Sequence, residues 1–187
     1  MKSRYIILTG ICCMMVLAGC SGSKTETKTA ADTPDTPTKG RLFCVSFQTM
    51  NNPFFIELND GLKQVIEAHG DTLVTLDARF DSLKQKNDIS DLILKNVSAI
   101  FLNPVNWEGI TGSLVQAKQK NIPVVVVDAP VKDADLVLCQ VASDNVEAGR
   151  LAARALAAAQ PESKVVILHL SVNKACIDRV DGFREEA

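Results

Sequence analysis

The 187-residue chain is short of the residues on which most enzyme chemistry and nucleic-acid recognition depend. It has two histidines, His69 and His169, and neither has a partner at metal-ligand or triad spacing, so both are expected to pack as ordinary side chains. The formal net charge is −2 and no basic stretch stands out, which removes the electrostatic footprint of a nucleic-acid binder. No GxGxxG, GxxxxGKS/T or GxSxG occurs, so dinucleotide, P-loop and α/β-hydrolase chemistries lack their motifs. Asp77, Asp128 and Asp144 could serve as acids or bases, but no His or Lys is placed to complete a mechanism. The chain reads as a non-enzyme with no metal and no cofactor. Of six cysteines, Cys12 and Cys13 fall in an apolar leader and Cys20 closes it. Cys44, Cys139 and Cys176 remain, an odd number without CxxC spacing. Cys44 and Cys139 fall in predicted strands and are expected as buried thiols, with one disulfide left open.

What is present begins with "MKSRYIILTGICCMMVLAGC". Lys2 and Arg4 precede an apolar run to Leu17 that is too short for an ordinary membrane span, the pattern of a secretory signal over residues 1–20. Its end resembles the bacterial lipobox, in which small residues precede a Cys that becomes the acylated N-terminus; here that residue is Cys20. Residues 21–40, "SGSKTETKTAADTPDTPTKG", are polar and carry charges of both signs. Such a segment buries too little apolar surface to offset its ordering entropy, so it is expected to be a disordered tether. The chain reads as anchored by lipid to a membrane from outside the cytoplasm.

From Arg41 the pattern alternates between strand and helix. Strands are predicted at Leu42–Phe47, Thr72–Leu76, Ala99–Leu102, Ile122–Val127, Leu136–Val141 and Lys164–Leu170. Leu58, Leu62, Val65 and Ile66 share one face of the first helix, which Gly70 stops. Ile89, Leu92 and Ile93 do so for Asp81–Lys95, and Ile110, Leu114 and Ala117 for Trp107–Lys120. Leu151, Ala155 and Leu156 do so for Asn145–Ala159. The runs "VVVV" and "VVIL" are apolar on both faces, which predicts a parallel sheet covered on each side, a doubly wound α/β fold. The step "DAPVKDAD" from Val127 to Leu136 is too short for a crossover helix.

In such a sheet, ligands bind beyond the carboxyl ends of the strands, where strand order reverses. The residues after those ends therefore form a set: Asn52, Phe54 and Phe55 after the first, Asn103 after the third, Asp128 after the fourth, and Ser143 and Asp144 after the fifth. Amides and a carboxylate bind vicinal hydroxyls and aromatic faces cover the C–H surface of a ring, so this rim can hold a sugar. Each member also has a plain structural explanation. Pro53 makes Asn52 a helix N-cap, and Asp128 can cap a turn. Phe54 and Phe55 cannot both face the core from adjacent helical positions, so one is expected at the rim.

"NNPFF" at Asn51–Phe55, "FLNP" at Phe101–Pro104, "NIPVVVVD" at Asn121–Asp128, "ASDN" at Ala142–Asn145 and "DRVDGF" at Asp178–Phe183 occur in this order. In order and spacing they resemble the bacterial periplasmic sugar-binding proteins of the ribose-binding type, two-lobed solute receptors for ABC importers. The resemblance implies a periplasmic-binding-protein-like fold of type I and a monosaccharide ligand held by Asn52, Phe54, Phe55, Asn103, Asp128 and Arg179. It implies an N-terminal lobe over 41–142, and a first hinge crossing at Ser143 and Asp144 that opens a second lobe over 143–187. Permease subunits of an importer are the implied partners, with the receptor a monomer. Ala129 stands where ribose-type receptors usually carry Arg, which puts ribose itself in doubt. The chain also stops inside the first helix of the second lobe, so it is expected to be a fragment or a truncation, with its last strand short of neighbours. Lac-repressor-type regulators share these lobes, but a signal and tether stand where their DNA-binding helices would be. A sugar or signal-molecule sensor without a transport role is the alternative.

Acylation at Cys20 is directly testable. Cys20→Ala should abolish labelling by radioactive palmitate and leave the protein unprocessed or released; unchanged labelling would sink the anchor.

Overall fold

The first strand, β1 (Leu42–Phe47), explains the rest of the sheet. Its side chains alternate between two faces and are apolar on both, with Cys44 packing to one side and Val45 and Phe47 to the other. A strand buried on both faces needs partners at both edges and helices above and below. The computed structural model describes residues 40–187 and supplies both. The signal, Cys20 and the tether up to residue 39 lie outside the described residues.

β1 is flanked in parallel by β2 (Thr72–Asp77) and β3 (Ala99–Leu102), and β3 continues to β4 (Val124–Val127) and β5 (Cys139–Val141). The sheet order β2-β1-β3-β4-β5 reverses between β1 and β3. Crossovers are α1 (Pro53–Ala68), α2 (Ser82–Leu94) and α3 (Thr111–Gln119). Ile89, Leu92 and Leu114 close one face of the sheet over Leu102 and Val126. Phe55 and Ile66 close the other over Val45, Phe47 and Leu73. Asn52 caps α1 by accepting from the Phe54 N–H at 3.0 Å, with Pro53 in its first turn. The helix ends at His69, and Gly70 adopts φ +74°, the left-handed stop that glycine takes without strain.

The doubly wound parallel sheet is as predicted, with corrections at its later elements. β4 starts at Val124 rather than Ile122, and the run from Leu136 is a single 3-10 turn (Ala134–Leu136) followed by a strand of three residues. At this thin edge Cys139 is exposed, not buried; Cys44 is the buried thiol, its pKa pushed up to about 12 by burial. All three described cysteines are free, so the open disulfide is not formed. In α1, Val65 lies exposed, off the face it was expected to share with Leu58, Leu62 and Ile66.

α4 (Asn145–Ala159) buries Asn145, Gly149 and Ala153 instead of the predicted Leu151, Ala155 and Leu156. The reason is its neighbour, α5 (Lys174–Glu186), which approaches so closely that only small side chains fit between. A Cβ on Gly149 would meet the Arg179 carbonyl oxygen at 2.1 Å, and one on Gly182 would meet that of Val146 at 1.9 Å. Arg150–Glu185 and Arg154–Glu186 ion pairs, at 2.7 and 2.9 Å, flank the seam. Between the helices, Lys164–Leu170 is not a strand, because among the described residues it meets no strand to share a ladder with. An extended run without a ladder partner is left in water. Its Val166 and Leu168 are 85% and 92% exposed.

The helix seam yields a test. Gly182→Ala gains helix propensity but drives a methyl into a backbone carbonyl, so a net loss of about 1–3 kcal/mol is expected. A lowered melting temperature and faster proteolysis within residues 174–187 would register it. An unchanged melt would show that the seam can open at no cost.

Candidate functional site

The strand register brings the predicted rim together. Ser46 aligns with Leu102 and Leu102 with Val126, so Gln48, Asn103 and Asp128 leave the sheet side by side. The β1–α1 loop is pinned from β2: Met50 N–H donates to the Asp77 carboxylate at 3.2 Å, and Phe80 N–H to the Gln48 carbonyl at 2.7 Å. Asp77 and Asp144 thus spend carboxylate oxygens on backbone N–H groups, Asp144 as the N-cap of α4.

Asn103 is fully buried. Its Oδ1 accepts from Gln48 N–H at 3.2 Å, and its Nδ2 donates to the Val127 carbonyl at 3.2 Å and to Asp128 Oδ2 at 3.0 Å. It therefore sits beneath the rim and orients Asp128. Asp128 itself has φ +68°, and Ala129 N–H bonds back to the Val127 carbonyl at 2.9 Å, making a tight turn with Asp128 at its apex. Such a turn is strained for a residue with a side chain, least so for Asn and Asp. Burial raises the pKa of the Asp128 carboxyl, opposed by the Asn103 hydrogen bond and by the charge of Arg179.

Beyond the rim lies a cleft of about 390 Å³ lined by Gln48, Asn52, Phe54, Phe55, Asp128, Ser143, Asn173 and Arg179, among others. The two phenylalanines divide their work. Phe54 is 52% exposed at the mouth, whereas Phe55 is 3% exposed and packs on Phe47 with ring centroids 5.5 Å apart. Their own rings meet edge to face at 5.3 Å. Arg179 enters from α5, and its Nε donates to Asn145 Oδ1 at 2.8 Å, which fixes the guanidinium beside the cleft. Ser143 lines the cleft and its carbonyl accepts from Asn145 Nδ2 at 3.0 Å. The structure thus gathers Asn52, Phe54, Phe55, Asp128 and Arg179 around one cavity and places Asn103 behind it. Among the described residues no group of acidic, His or Cys side chains could hold a metal ion.

Sequence reasoning gave no role to three polar residues of this region, although Gln48 stands among the residues that follow the first strand. Gln85 is fully buried on α2; its amide donates to Ser46 Oγ at 3.2 Å and the Asn103 carbonyl at 3.0 Å, and accepts from Val105 N–H at 2.8 Å. A signal existed: Gln85 lies four residues before Ile89, on the same buried helix face. Gln48 and Asn173 are nearly buried and joined across the cleft floor by Asn173 Nδ2 donating to Gln48 Oε1 at 3.3 Å. No local pattern announces a contact spanning 125 residues.

Comparison with known proteins bears on this geometry. The model of the periplasmic binding protein domain matches residues 43–187. The ribose import binding protein of Bacillus subtilis (strain 168) is 36% identical over 113 residues, which cover 60% of this chain and 37% of that protein. The Escherichia coli (strain K12) ribose import binding protein is 31% identical over 139 residues, covering 73% and 47%. A crystal structure of an ABC transporter solute binding protein from Agrobacterium vitis with bound D-fucose superposes with a TM-score of 0.70 at 26% identity, covering 78% of this chain and 52% of that one. The chain thus spans about half the length of these relatives, or less.

The strained, half-buried carboxylate carries a stability consequence. With its folded-state pKa above the ordinary 3.8, Asp128 opposes folding above that folded pKa. The opposition fades as pH falls through the folded pKa towards 3.8. Asp128→Asn, which tolerates the same turn, should therefore raise the melting temperature at pH 7 and lose that advantage as the buffer is acidified. A melting difference independent of pH would contradict the burial account.

Proposed function

The chain belongs to the periplasmic binding protein family, and on that footing we propose that it forms part of an extracytoplasmic receptor that binds a monosaccharide and delivers it to an ABC importer. The observation that carries the reading is the cleft, where Asp128, Asn52, Phe54 and Arg179 converge. A sugar hydroxyl both donates and accepts, and a carboxylate, an amide and a guanidinium offer complementary partners in one small space. Phe54 offers an exposed aromatic face for the apolar side of a ring. Relatives named for ribose import and a D-fucose-bound structural neighbour support a sugar as the ligand. They are transport receptors by name, and no catalytic role is proposed.

Within that reading the roles divide. Asp128 accepts from ligand hydroxyls, Arg179 and Asn52 donate, Phe54 stacks, and Phe55 braces Phe54 from the core. Asn103 positions Asp128. Residues 41–142 serve as the N-terminal lobe, Ser143 and Asp144 as the crossing, and the rest to 187 as the opening of a second lobe that closes over the ligand. Ala129 is buried and uncharged where ribose-type receptors usually have Arg, so the charged contact those receptors make there has no counterpart at this position, and the panel of sugars below decides which monosaccharide is bound. Acylated Cys20 holds the receptor at a membrane facing out of the cytoplasm, where permease subunits take the sugar.

Calorimetry of the full-length protein against a panel of pentoses and hexoses tests this. One sugar should bind, and Asp128→Asn should weaken it by about tenfold, since a charged hydrogen bond outweighs a neutral one by roughly 1–1.5 kcal/mol. Equal binding by the variant, or silence across the panel, would overturn the reading.

A further inference from the structure

Gln48 has its bonding capacity almost used up. Its N–H donates to Asn103, its carbonyl accepts from Phe80 N–H, and its Oε1 accepts from Asn173. Among the described residues its Nε2 makes no hydrogen bond, and none of their fully buried side-chain nitrogens or oxygens is left unpaired. The residue as a whole is 7% exposed and lines the cleft, so the cleft is where that amide nitrogen meets solvent.

The amide cannot simply turn round. Asn173 presents its Nδ2 to Gln48, while its Oδ1 is engaged by Cys176 N–H at 3.1 Å as the N-cap of α5. With a fixed donor facing it, Gln48 must offer oxygen to Asn173 and nitrogen to the cavity. A donor of set orientation at the floor of a small cavity demands an acceptor, and an unsatisfied buried donor is costly.

We propose that Gln48 is a specificity-determining ligand contact, whose Nε2 donates to a hydroxyl oxygen on the sugar, with Asn173 as the residue that sets its orientation. This rests on the monosaccharide reading above and deepens it. Asp128 selects hydroxyls as donors; Gln48 selects one as an acceptor, at the place where the β1 loop meets α5. A deoxy sugar lacking that hydroxyl leaves the amide unpaired and is discriminated against.

The test uses the full-length protein and the best-binding sugar of the panel, together with its monodeoxy analogues. Gln48→Met keeps the length and removes the amide. It should weaken the parent sugar about three- to tenfold, in the range of one neutral hydrogen bond. It should not weaken, and should if anything raise, the affinity for the one deoxy analogue that lacks the partner hydroxyl, because the amide that analogue left unpaired is gone. If Gln48→Met does not fold by its thermal melt, Gln48→Ala replaces it, with a loss on the parent sugar and none on that analogue. Parent-like affinity in the folded variant, or equal losses on every deoxy analogue, would overturn the proposal while Asp128→Asn still reports on the sugar site. No binding by the parent protein would fail the underlying reading instead.

Discussion

One buried amide organises the rim. Asn103 stands at the end of β3, where strand order reverses, and its side chain reaches both neighbours: the β1 loop through Gln48 and the β4 turn through Val127 and Asp128. Gln85 locks it from below through the Asn103 carbonyl. Buried amides with all their partners met hold one arrangement, because each alternative leaves a polar group unpaired away from water. The loops after β1, β3 and β4 are therefore fixed relative to one another by two side chains, and each side chain is fully buried.

That fixity is spent on an arrangement folding alone would not choose. Asp128 occupies a left-handed turn, and its carboxyl is partly desolvated, so its charge is held against both backbone preference and burial. Sites that bind commonly carry such strain, offset by the surrounding core. Here the offset comes from Ile100, Leu102 and Val126 in the sheet and from the helices over them. The phenylalanines show the same division of labour at shorter range. Phe55 gives up its face to the core against Phe47, and that anchors Phe54 at the mouth.

Much of this was legible in the sequence, and what was not has a common cause. β1 to β4, the cap at Asn52, the stop at Gly70 and the gathering of residues at the strand ends follow from local patterns: two-residue and 3.6-residue periods, cap residues and turns. The failures depended on who the neighbour is. Lys164–Leu170 has the composition of a strand, but a strand exists only with a partner ladder. α4 buries glycine and alanine in place of leucine because α5 comes within reach of its backbone. Asn103 could be placed on the rim by its position, yet its burial beneath Asp128 depended on three loops converging. The link from Gln48 to Asn173 has no local signature at all.

A structure with the proposed sugar ligand bound would test the central claim most directly, namely that Asn103 works by holding Asp128 in place for that ligand. The account predicts the Asp128 carboxylate within hydrogen-bond distance of the sugar. It also predicts Asn103 still donating to Asp128 and Val127 without touching the ligand. A sugar bound with Asp128 out of reach, or Asn103 swung onto the ligand with its bonds to Asp128 and Val127 broken, would contradict it.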